Sequence, residues 1–215
     1  MTDSILEVVT ASSTYDLTTL DRVKTELNIS STDQDARLTD LIHEESANFA
    51  DLCNRVFASE EVTETFRNVR GRNNLAPLEL KRYPVTTVAS IVEDDVTLDP
   101  TDYEVDWKAG LLYRLSSDFR SVWCVSKLVV TYTGGYTLLT TLPRKIETAV
   151  LTLIMGRWFS GGTSARDPAV RTEDVYNVAR IDYWRPGTSS SSGFISSSLP
   201  PDVQEAVDLY RDIRV

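Results

Sequence analysis

Apolar residues along this chain change their spacing twice, from steps of three and four to an alternation of two, and then back. Residues 1–16 keep no clear period and predict an arm or an edge strand. Thr18 or Thr19 then stands where a helix cap belongs, with Leu20, Val23 and Leu27 on one stripe behind it and Asn28 near the end. Ser30-Ser31-Thr32-Asp33 reads as a loop, and Thr32 with Asp35 three residues on predicts a second cap. From about Asp33 to Phe57 there is no Pro or Gly. Leu38, Leu41, Ile42, Phe49, Leu52, Cys53 and Val56 recur at helical steps, which predicts one long amphipathic helix. Glu45 interrupts its apolar stripe, and Asp40, Glu44, Asn48 and Asp51 make its other face acidic.

The period then becomes two. Val62, Glu64 and Phe66 open a strand, and Gly71-Arg72-Asn73-Asn74 is a turn cluster. Leu78-Glu79-Leu80 and Tyr83-Pro84-Val85 lead through Val88 and Ile91-Val92 into the acidic turn Glu93-Asp94-Asp95. Residues 103–115 read as a hairpin about Lys108-Ala109-Gly110, and Lys127 to Tyr132 as a β-branched and aromatic strand closed by Gly134-Gly135. Helix resumes after Pro143, with Ile146, Val150, Leu151, Leu153, Ile154, Trp158 and Phe159 apolar, and Gly161-Gly162 stops it. Across 163–185, Val175, Val178, Ile181 and Trp184 fit either a strand with a bulge or an irregular helix. Residues 186–198 are a Ser-rich linker holding Phe194 and Ile195. Pro200-Pro201-Asp202 opens a last helix with Val203, Ala206, Val207 and Tyr210 on one stripe.

These elements predict an α+β fold: a small helical core, an antiparallel β subdomain inserted in it, and an extended C-terminal tail ending in a helix. The domain organisation expected is a core over 1–160 containing a β region at 62–136, an extension at 161–185 whose structure the sequence leaves undetermined, the linker at 186–198 and a terminal helix at 199–215.

Composition narrows the chemistry. The net charge of −10 is uneven. Residues 1–61 carry 13 acidic and 4 basic side chains, and residues 62–215 carry 19 and 18. A surface of that sign repels a phosphate backbone and disfavours nucleic-acid affinity. No apolar run approaches the ~18–20 residues that span a bilayer. The start Met1-Thr2-Asp3-Ser4 predicts no secretory leader, so the expected setting is a cytoplasm with no membrane contact. Cys53 and Cys124 read as two buried thiols. With no CxxC pair and only His43, neither a metal nor a cofactor is expected. Asp94-Asp95 and the alternating Asp102, Glu104 and Asp106 read as turn and strand acids rather than as a glycosidase pair or calcium loop. No GxSxG elbow and no P-loop is present, so no catalytic residue is assigned.

Four segments, in order, resemble the head–tail connector (adaptor, head-completion) family of tailed bacteriophages. They are Thr19-Leu20-Asp21-Arg22-Val23-Lys24-Thr25-Glu26-Leu27; the acid-rich helix from Asp33 to Val56; Tyr83-Pro84-Val85 with the later Leu128-Val129-Val130-Thr131-Tyr132-Thr133-Gly134-Gly135-Tyr136; and Leu142-Pro143-Arg144-Lys145-Ile146 with Ala149 and Leu151. Together they span about 18–160, and Leu199 to Val203 adds a familiar tail. Residues 163–198 match no pattern of that family.

The resemblance implies a structural virion protein of the neck, assembled in the host cytoplasm and not an enzyme. Its expected partners are copies of itself in a ring of twelve, the portal protein, and a head-closure or tail protein, with DNA threading the channel without sequence-specific binding. Phe194, Ile195, Leu199, Val203, Ala206, Val207 and Tyr210 become candidates for docking to the portal, since a linker followed by an amphipathic helix suits reaching and burying a stripe in a groove. The other arrangement, with 200–215 folded back on its own core, stays open. Asp40, Glu44 and Asp51 become candidates for lining the bore, where carboxylates would keep DNA from sticking; a solvated outer face stays open too. The rival readings are a head-closure or tail-completion neck protein, and a glycan-binding or glycan-cleaving β domain with Tyr103, Trp107 and Tyr113 as its platform.

Overall fold

Two separate stretches of chain feed each of two structural units. A computed structural model describes residues 4–67, 69, 77–138, 140–161, 172–175, 179–182 and 199–213. One unit comprises Met1–Tyr15 with Val56–Thr141 and is β; the other comprises Asp16–Arg55 with Leu142–Val215 and carries the helices.

The β unit is built from nine strands: β1 (Ser4–Thr10), β2 (Glu60–Arg67), β3 (Leu78–Glu79), β4 (Val85–Glu93), β5 (Val96–Thr97), β6 (Tyr103–Asp106), β7 (Leu111–Ser116), β8 (Phe119–Ser121) and β9 (Lys127–Gly134). The first sheet runs β1-β2-β9-β4-β5, and the second runs β3-β7-β6 with β8 also on β7. All these pairings are antiparallel. Alternation decides what is buried. On β2, Val62, Glu64 and Phe66 point inward, opposite Tyr132, Val130 and Leu128 of β9. Leu78, Leu80, Ile91, Leu112 and Trp123 complete the same apolar core. Each such side chain contributes about 1.5–3 kcal/mol by leaving water.

The turns follow from their residues. Asp94 and Asp95 both take left-handed backbone (φ 43° and 71°), as a two-residue hairpin turn requires. The Asp94 carboxylate then accepts from the backbone N–H groups of Ser126 and Lys127, at 3.0 and 2.8 Å. Asp106 accepts from the N–H groups of Lys108 and Ala109 at the next hairpin. The turn cluster expected at Gly71–Asn74 lies outside the described residues.

The helical unit holds α1 (Leu20–Leu27), α2 (Asp35–Leu52), α3 (Arg144–Gly161) and α4 (Pro201–Tyr210). Thr19 caps α1 by accepting from the Arg22 N–H, and Asn28 closes it in left-handed backbone. Thr32 does not cap α2. Its carbonyl accepts from the Asp35 N–H in a turn, Gln34 precedes the helix without a side-chain cap, and Asp35 is held instead by Lys24 at 2.6 Å. Nor does α2 reach Phe57. Asn54 turns left-handed (φ 49°), and the Arg55 N–H returns to the Ala50 carbonyl at 3.1 Å, a closure that a short polar side chain tolerates. Leu17, Val23, Leu38, Ile42, Phe49, Ile146, Val150 and Ile154 are among the buried side chains of this unit. Of the two cysteines expected inside, Cys53 is buried but Cys124 is exposed.

Two further strands, β10 (Thr172–Val175) and β11 (Ala179–Asp182), pair only with each other among the described residues. The ambiguous stretch around Val175 and Ile181 is thus an antiparallel strand pair, with Thr172 opposite Asp182 and Val175 opposite Ala179.

Candidate functional site

The charged residue that breaks the apolar stripe of α2 is its most constrained. Glu45 is buried, and its carboxylate accepts from Arg157 Nη1 of α3 at 2.7 Å and from the Asn48 side chain at 3.1 Å. Arg157 also pairs with Glu44 at 3.1 Å. The hydrogen bond to Glu45 holds the Arg157 guanidinium pKa above its ordinary value. Two turns earlier on α2, Arg37 stacks on Trp158 of α3, 4.7 Å from the ring centre. Asp40, Glu44 and Asp51 are exposed, so α2 does present an acidic surface. His43 is exposed as well and pairs with Asp16 at 2.6 Å.

The C-terminal stripe is covered within the chain itself. Helix α4 packs on α3; Val203, Ala206 and Val207 are buried, and Leu199 and Tyr210 are half-buried. Lys145 pairs with Glu205 at 2.5 Å, the Thr152 hydroxyl donates to Asp202 at 2.7 Å, and the Asp212 N–H donates to the Cys53 carbonyl at 2.8 Å. As folded, the three buried members of the stripe face their own unit. Leu209 and Ile213, which the periodicity did not single out, are exposed at 61% and 85%. Phe194 and Ile195 lie outside the described residues.

In the β unit, two carboxylates sit on the core-facing side of β2. Glu64 is fully buried and accepts three hydrogen bonds: from the Ser4 hydroxyl at 2.5 Å, the Tyr132 hydroxyl at 2.9 Å and the Lys81 N–H at 3.1 Å. The Tyr132 hydroxyl also accepts from the Arg82 N–H at 3.0 Å. Burial foremost, and then the charge of Glu64, push the Tyr132 phenol far above its ordinary pKa, so it stays a neutral donor. Glu60 is met by Arg82 Nε at 2.8 Å and by the Tyr15 hydroxyl at 2.6 Å, and the hydrogen bond to Glu60 raises the Tyr15 pKa. Lys81 Nζ reaches the Ser4 carbonyl at 2.7 Å. This network anchors β1 and the 81–82 turn to β2 and β9. Its chemistry is that of a satisfied internal clamp, each buried carboxylate meeting two or three donors.

The three aromatics of a possible glycan platform do not share a face. Tyr103 packs against the core, Tyr113 lies under Arg120 with 3.9 Å to the ring centre, and Trp107 is half exposed. In the β6–β7 register Tyr113 stands opposite Glu104 while Tyr103 stands opposite Arg114, which puts the two tyrosines on opposite sides of the sheet. Asp102 and Glu104 are tied to Arg114 and Arg120, at 3.5 Å each. Among the described residues no group of three or more His, Cys, Asp or Glu could hold a metal ion, and no helix is long and apolar enough to cross a membrane.

Residues 16–160 match the family described as head completion protein, and the chain belongs to that family. Membership makes it a structural component of head–tail assembly, a connector, rather than an enzyme. No curated protein matches it. Among solved structures it is similar to a chain of the neck of an empty gene transfer agent particle computed with C6 symmetry (15% identity, TM-score 0.56). It is also similar to a chain of the neck of the native particle computed with C12 symmetry (15%, 0.53), and to one of the virion of the native gene transfer agent (15%, 0.56). Each covers 98% of this chain and 97% of the other, so the likeness in fold extends to both units.

Proposed function

We propose that this protein is the ring-forming head–tail adaptor of a virion neck, seated against the portal and joined on its other side to a head-closure or tail protein. The family match over 16–160 carries the reading. The fold shared with neck chains of a gene transfer agent, one of them in a particle neck of C12 symmetry, supports a ring of twelve. DNA passes through the bore, and the exposed carboxylates Asp40, Glu44 and Asp51 of α2 face it without binding it. Glu44 is half neutralised by Arg157, so Asp40 and Asp51 supply most of that repulsion.

The tail engages the portal through residues 186–198, with Phe194 and Ile195, and through the outward side of the terminal helix. The buried positions of Val203, Ala206 and Val207 divide the labour within α4: its inner stripe fastens the helix to α3, and Leu209 and Ile213 meet the partner. Deleting 186–215 therefore abolishes attachment to portal-bearing heads. Because that deletion also uncovers α3, the paired variant Leu209→Ser/Ile213→Ser keeps α4 in place and weakens attachment by itself. Normal attachment of the deletion variant, measured by co-sedimentation with heads, overturns the docking role.

A further inference from the structure

The first sheet has two edges of very different character. At one, β5 is two residues long, which is a protected edge. At the other, β1 runs seven residues, Ser4–Thr10, with no Pro and no Lys, and pairs only with β2 among the described residues. Ser4 is buried and Leu6 packs against the core, but the other face and the far end are open: Ile5 is 68% exposed, Val9 57% and Val8 42%. A long edge with exposed β-branched residues is the kind that globular proteins suppress with charge, proline or a bulge. Here the one charge is the exposed Glu7 in mid-strand, and the single irregularity comes at the far end, between Val8 and Thr10.

The same chain carries the opposite deficiency. Strands β10 and β11 are four residues each and form a sheet of two, with no third strand among the described residues. A two-stranded sheet of that length is marginal in water and gains stability by joining a larger sheet or by packing against a helix. Residues 162–171 separate it from α3, and ten residues reach at most about 35 Å.

We propose that the strand pair β10 and β11 of one copy adds to the free edge of β1 in the next copy, extending its five-stranded sheet. Main-chain hydrogen bonds supply the pairing, and Ile5, Val8 and Val9 supply the apolar contact. The contact is heterologous, edge on one copy and strand pair on the other, so repetition propagates from copy to copy, as a ring requires, rather than stopping at a two-fold dimer. The clamp on Glu64 and Lys81 gives this edge its rigidity, since both hold Ser4. The proposal rests on the ring reading for the identity of the partner, and it is tested in purified protein without portal or tail, so its failure and that of the adaptor placement are distinguishable.

Two full-length variants decide it. Ile5→Lys/Val9→Lys charges the edge at exposed positions, and replacement of 171–183 by a Gly/Ser segment of equal length removes the strand pair. Sedimentation is followed up to the highest concentration the protein tolerates, and circular dichroism checks that each variant is folded. The expected result is self-association of the wild type, monomers for each variant alone, and one-to-one dimers when the two variants are mixed, because the strand pair of the first still fits the intact edge of the second. Unchanged self-association of either variant overturns the proposal, as does a mixture that stays monomeric. A wild type that remains monomeric with its β1 amides exchanging freely overturns it too.

Discussion

Replacing Glu64 with leucine tests the internal clamp at its centre. The carboxylate is fully buried and satisfies three donors, the hydroxyls of Ser4 and Tyr132 and the Lys81 N–H. Leucine fills the space, but it leaves all three donors without an acceptor. Ser4 and Tyr132 are themselves buried, and each stranded buried group costs about 1–3 kcal/mol, so a loss of about 2–5 kcal/mol is expected once the recovered desolvation of the carboxylate is set against it. Glutamine behaves differently. Its carbonyl accepts from Tyr132 and Lys81, and its amide donates to Ser4, whose hydroxyl rotates to accept, so Glu64→Gln costs about 1 kcal/mol or less. Urea unfolding followed by the fluorescence of Trp123, buried in the same core, measures both. Hydrogen exchange adds a local signature, with the β1 amides of the leucine variant opening before those of β9. A leucine variant within 0.5 kcal/mol of wild type, or a glutamine variant as damaged as the leucine one, refutes the clamp.

Further outcomes follow from the same geometry. Gly135 holds φ 111°, and a Cβ built there lies 2.2 Å from the Ala58 carbonyl oxygen; Gly135→Ala should cost more than about 3 kcal/mol in urea unfolding, a severe loss for a single methyl group. Burial pushes the Cys53 thiol up to about 11, from 9.0 when free. The folded-state pKa is the raised one, so the stabilisation is complete below pH 9 and is lost as pH climbs toward 11. That loss is worth about 2–3 kcal/mol. Cys53→Ala should flatten this alkaline limb in helical circular dichroism, whereas an unchanged limb contradicts the assignment.

Much of the fold was legible because it depends on local chemistry. The Thr19 cap, the Asn28 stop, the hairpin about Gly110 and the alternation on β2 and β9 each follow from residues within a few positions. The failures were non-local or competitive. Thr32 looked like a cap, but its carbonyl rather than its hydroxyl takes the Asp35 N–H, and Lys24 takes the Asp35 carboxylate. The apolar stripe of α2 continued to Val56 in the sequence, yet Asn54 ended the helix first; the signal was there, one asparagine in a run of good helix formers. Glu45 was read as an interruption of an apolar stripe, Glu64 only as a member of a strand, and Glu60 was not singled out, since their partners Arg157, Tyr132 and Arg82 are 22–112 residues away. Amphipathicity showed that α4 would bury a stripe but not in what. A stripe that docks on α3 and one that docks on a foreign groove have the same period, and only the tertiary contacts separate them. Cys124 went outward because it sits between Trp123 and Val125, both turned inward, and alternation leaves the residue between them in solvent.

Cryo-electron microscopy of the intact particle neck, with this chain located in the density, tests the central claim most directly. The account predicts a ring of twelve copies directly beneath the portal, with the tail segments running up into it and the acidic face of α2 turned to the DNA. A ring lower in the neck contradicts the adaptor placement and assigns the chain to head closure or tail completion. Absence from the neck contradicts the structural role itself.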